Sequence, residues 1–143
     1  MTANDHDGCV EAWLLRQAPG PSPDRVLVLL ELALAALWGR CQLRLGEVTL
    51  MAIADRVLHE GRGRFPCLGH LTLGATGILL DGLRSRSREA SIEEVQGASR
   101  FLLAEFLRVV GRLTAEVLTP ALHAELSAVT LPAAEAKTDM GSS

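Results

Sequence analysis

The chain has no tyrosine, three phenylalanines and two tryptophans among 143 residues. So sparse an aromatic set leaves few flat surfaces on which bases, sugars or planar cofactors could stack. Lysine is reduced to Lys137, and arginine supplies every other basic side chain apart from histidine. That skew points to the base composition of the gene before it points to chemistry. Cys9, Cys41 and Cys67 are a sparse, odd set, which reads as reduced thiols of a cytoplasmic protein and not as a disulfide framework. A net charge of −3 gives no global field that would draw the chain to nucleic acid or anionic lipid. Met1 to Asp7 is polar and acidic, unlike the basic start of a secretory signal. The strongest apolar run, Val26 to Trp38, contains Glu31 and falls short of the ~20 residues a membrane helix needs. We therefore expect a cytoplasmic domain with no membrane partner.

What is present is aliphatic mass. Hydrophobic residues make up 48% of the chain and charged residues 22%, a globular balance. The length suits one core and is short for two. Periodicity predicts a mainly α fold, a bundle of about four helices with one short β-hairpin over residues 70–80. Residues 1–21 read as an amino-terminal appendage: a short helix carrying Val10, Trp13 and Leu14, then a stiff connector with Pro19 and Pro21, able to fold back on the body or dock on a partner. Residues 22–130 read as the domain, and residues 131–143 as a disordered tail.

Within the domain, Ser22-Pro23-Asp24 opens a helix that should run to about Leu45 and stop near Gly46. A second should run from Glu47 or Thr49 to Glu60, ended by Gly61, with Arg62 to Pro66 as a turn. Ser91 with Glu94 forms a capping box that opens a long helix from Ile92 to about Leu118. Thr119-Pro120 ends or kinks it and can start a last helix. Glu31 aligns with Asp24 and Gln42 on one stripe, which predicts an exposed carboxylate.

Chemical motifs are few. Gly69 to Thr76 has phosphate-loop spacing, but Ala75 stands where the mechanism needs lysine. Cys67-x-x-His70 resembles half of a zinc site, which Cys41 or His59 would have to complete without a close pair of their own. The same thiol beside His59 or His70 lacks any third orienting group for nucleophilic chemistry. Glu93 and Glu94 are adjacent on a helix and point apart, while Glu105 and Glu116 read as surface partners of Arg108 and Arg112. We expect no cofactor and no enzyme.

Arg62, Arg64, Arg84, Arg86 and Arg88 gather enough charge for anion contacts. The run Phe65-Pro66-x-Leu68-x-x-Leu71 resembles the recognition-helix region of PadR-like repressors over fewer than ten residues. That resemblance implies a winged-helix-like α+β fold and a DNA-binding regulator, with those arginines on phosphates. The following glycine stands at a different distance. Between Pro66 and Leu73 only His70 is able to reach a base edge or phosphate, where DNA readers place Arg, Lys, Asn or Gln.

The leading expectation is an interaction module, a homodimer or partner-bound adaptor in bacterial signalling or regulation. Its interface would lie on Leu102, Phe106, Val109 and Leu113, with Gly111-x-x-x-Ala115 as a small-residue groove. The alternatives are the winged-helix regulator and a small-ligand or metal sensor around Cys67, His70 and His59.

Overall fold

The computed structural model describes residues 6–17, 23–66, 68, 72–74, 77–79 and 91–130. These form helices α1 (His6–Gln17), α2 (Pro23–Leu45), α3 (Glu47–Arg64), α4 (Ile92–Leu113) and α5 (Thr119–Ser127). Between α3 and α4, strand β1 (Thr72–Gly74) pairs antiparallel with β2 (Gly77–Leu79), Leu73 opposite Ile78. The fold is mainly α.

The corner between α2 and α3 is one residue wide. Gly46 holds φ at +83°, its N–H closes α2 on the Gln42 carbonyl, and its carbonyl receives the Leu50 N–H of α3. A residue with a Cβ pays a steric penalty in that left-handed conformation, so glycine is the natural stop. α3 then runs one turn past the expected end at Glu60, straight through Gly61. The glycine here serves packing: a Cβ on it would sit 2.7 Å from Leu68 Cδ1 and 3.4 Å from the Phe101 ring. Arg62 and Arg64 therefore lie in the last helical turn and not in a free turn, where basic groups complement the helix dipole.

α4 begins as its capping box predicts, with Ser91 Oγ accepting the Glu94 N–H at 3.0 Å. Ser91→Ala should cost about 1 kcal/mol, read as a lower urea midpoint with an unchanged slope; an unchanged midpoint would remove the cap from the account. The far end differs from the expected Leu118. The Ala115 N–H bonds the Arg112 carbonyl at 3.3 Å and the Glu116 N–H bonds the Gly111 carbonyl at 2.7 Å. This pair is a Schellman closure. Ala115 takes the left-handed position at φ 52°, where glycine is usual, and Glu116 follows at φ 64°.

α4 is the axis of the domain. Val95, Ala98, Leu102, Leu103, Phe106, Leu107 and Val110 are buried on it, and α1, α2 and α3 all pack along it. α1 belongs to this core. Val10, Trp13 and Leu14 are buried, and the Trp13 indole N–H donates to the Val129 carbonyl at 2.9 Å. α1 is thus packed against the body. Residues 18–22 of the connector and 131–143 of the tail lie outside the described residues.

Helix directions follow from side-chain contacts. Asp7 reaches Arg108 and Glu11 reaches Arg100, so α1 runs antiparallel to α4. The end of α3 meets the first half of α4, with Phe65 near Gly97 and the Arg64 guanidinium over Phe101. The start of α3 is joined through Gly46 to α2, whose Arg40 pairs with Glu125 of α5 at 3.5 Å. α3 is therefore antiparallel to α4. The end of α2, the start of α3 and the end of α4 share one pole of the bundle.

Residues Arg25–Leu45 of α2 are long and apolar enough to cross a membrane by composition, with mean hydropathy 1.7. Half of that window is buried against the other helices, as in a core helix of a globular domain. Glu31 is exposed, as its stripe predicts.

Candidate functional site

The structure scatters the residues singled out by spacing. Cys41 is fully buried on α2, and burial pushes its thiol up to about 12. A thiol so protonated at neutral pH is neither a ready nucleophile nor a ready ligand. His59 stands exposed on α3, whereas Cys67 and His70 lie outside the described residues. Among the described residues, no three His, Cys, Asp or Glu side chains converge as a metal site. Arg62 and Arg64 are exposed, while Arg84, Arg86 and Arg88 lie outside the described residues.

Two residues of the repressor resemblance, Phe65 and Leu68, are occupied by packing, while Pro66 is exposed and Leu71 lies outside the described residues. Phe65 stacks at 5.9 Å from Phe101, Leu68 is fully buried, and the Leu68 N–H closes a tight turn on the Phe65 carbonyl at 2.9 Å. Thr72–Gly74 is extended. A recognition helix across Pro66 to Leu73 is therefore not what the described part of this stretch adopts.

The expected helix-pairing surface is mostly interior. Leu102, Phe106, Val109 and Gly111 are buried within the chain's own core. The small-residue groove does not form, because α4 closes at Leu113 and Ala115 leaves the helix. The Glu116 carboxylate covers Gly111; a Cβ there would lie 2.6 Å from Glu116 Oε1. Leu113 alone of the aliphatic set is on the surface, 59% exposed.

Leu113 has company. Val117, Leu43 and Val48 are 74%, 82% and 85% exposed, and all four belong to the pole where α2, α3 and α4 meet. Exposed single aliphatics are ordinary on any surface, but four large ones at one end of a small bundle are a concentration. Arg44, Glu47 and Arg112 are exposed around them, giving the pole both signs of charge.

No family model, curated protein or solved structure matches this chain. The functional reading rests on the geometry alone.

A second constellation sits at the same pole and carried no signal in the sequence. His6, 5% exposed, places Nδ1 3.0 Å from His123 Nε2 across 117 positions of chain, the two rings edge to face. On its other side, His6 Nε2 lies 3.5 Å from Glu116 Oε1, which also accepts the Thr119 hydroxyl. Beside it, Asp7 takes both oxygens to the Arg108 guanidinium at 3.0 and 3.1 Å, and Arg108 also holds Glu105. Asp7 thus works as a tether of α1. Burial first, and His123 second, hold the His6 imidazole below its ordinary value of 6.5; Glu116 opposes them. Each of these histidines is isolated in sequence, and only the fold pairs them.

Proposed function

We propose that the chain acts as an interaction module, of the adaptor kind and not as a catalyst, and pairs with a second copy of itself through the pole formed by α2, α3 and α4. The observation that carries this reading is the set Leu43, Val48, Leu113 and Val117, four large aliphatics left in water at one end of the bundle. A two-fold pairing sets the same patch against itself, so it needs apolar residues at the centre and both charge signs around them. Arg44 and Arg112 with Glu47 supply that mixture. This places the contact at the end of α4, not along the helix as its apolar stripe suggests.

The test is size-exclusion chromatography with light scattering, or native mass spectrometry, on the full chain and on the double variant Leu43→Asp, Val48→Asp. The parent should be a dimer and the variant a monomer of nearly unchanged melting temperature at matched low concentration, since neither side chain is in the core. A parent that stays monomeric at high concentration would overturn self-pairing. So would a variant that remains as dimeric as the parent.

A further inference from the structure

We infer that His6 and His123 form an acid-sensitive latch that fastens α1 to the turn between α4 and α5. Two imidazole nitrogens 3.0 Å apart hold one proton between them, one ring donating and the other accepting. The arrangement that also serves Glu116 runs in one direction: His123 Nε2–H donates to His6 Nδ1, and His6 Nε2–H faces the carboxylate. One extra proton is accommodated: on His123 Nδ1 it leaves Nε2–H donating to His6, and on His6 Nδ1 it requires His123 to present Nε2 as the acceptor. A second sets two N–H groups and two positive charges against each other, with one ring almost wholly buried, and the contact has to open.

The surroundings sharpen the response. On α1, Asp7 is engaged by Arg108; on α4, Arg108 also adds positive charge near His6, and Glu105 is held by that same arginine. From the turn, Glu116 is the one group that favours a charged His6, and it is shared with Thr119 of α5. Because the docked imidazole titrates below 6.5, the docked state binds fewer protons than the released state in the window beneath that value. Docking is therefore complete above the window and weakens as pH falls into it. The window opens at the ordinary histidine value of 6.5, above the ~4 at which ordinary carboxylates take up protons. The turn is also under backbone strain, with Ala115 and Glu116 both left-handed. Release of α1 would bare the seats of Val10, Trp13 and Leu14 on the core, all apolar surface that is covered in the docked state.

The experiment uses the full chain carrying Trp38→Phe, which leaves Trp13 as the only indole. Acrylamide quenching of Trp13 is followed from about pH 7 to about pH 5, the range in which histidine switches act, alongside far-ultraviolet circular dichroism. Quenching should rise severalfold while most of the helical signal persists. In the His123→Gln variant, whose amide can still donate to His6, the rise should shrink or move to lower pH. Flat quenching across the range would overturn the latch, as would an identical transition in His123→Gln. Loss of the whole helical signal together with Trp13 protection would overturn it too, since that is general unfolding. Should His123→Gln not fold, the ring resonances of His6 in the parent decide: titration below 6.5 in step with Trp13 exposure supports the latch, and titration at or above 6.5 overturns it.

Discussion

Trp13→Ala should lower the stability of the domain by about 3–5 kcal/mol, although position 13 lies in a segment that reads as peripheral. Its side chain is fully buried against α4 and α5. Truncation removes that apolar area from the core, leaves a large void, and strips the Val129 carbonyl of its indole donor. The void and the lost hydrogen bond act in the same direction, because the half-buried Val129 carbonyl loses its partner. Trp13→Phe separates them: it keeps most of the volume, loses the hydrogen bond, and should cost about 1–2 kcal/mol. Urea melts on the three proteins check the order. If Trp13→Ala melts like the parent, α1 is not part of the cooperative unit and the latch loses its purpose, since there would be no docked helix to release.

How this helix joins the core shows where legibility in the sequence ends. Local signals were sound: Pro23 and Gly46 bound α2, Ser91 opens α4, and Thr119-Pro120 starts α5. Each works through hydrogen bonds or steric limits within four residues of chain, so spacing alone reveals it. Two glycine rules failed in opposite ways. Gly61 reads as a stop but serves close packing against Leu68 and Phe101, a contact visible only in three dimensions. Ala115 does glycine's work at the end of α4 with no glycine present, so the closure left no mark. From that one miss followed another, the groove from Gly111 to Ala115. The His6–His123 pair was beyond reach for a plainer reason. Its two members are single residues 117 positions apart, and no periodicity links them. The repressor resemblance rested on Phe65, Pro66, Leu68 and Leu71, and of these Phe65 and Leu68 are apolar residues that any core can use and that this core does use.

Phe106→Ala tests the reassignment of α4 from pairing surface to core, and it should destabilise the chain by about 3–5 kcal/mol. For a domain of this size that is a fall in melting temperature of roughly 10–20 °C. The ring is 2% exposed inside a single chain, enclosed by that chain's own helices. A residue at a subunit contact behaves differently: truncating it weakens association, so the damage is greatest in dilute solution and fades as protein concentration rises. Phe106→Ala should instead lose the same increment of stability, relative to the parent, at every concentration. It should also keep the parent's oligomeric state wherever it is still folded. Leu43→Asp with Val48→Asp should do the reverse, changing association while leaving the core intact. The two variants thus divide the chain into a buried axis and an exposed pole. A Phe106→Ala protein that is fully folded but newly monomeric would return the pairing surface to the middle of α4.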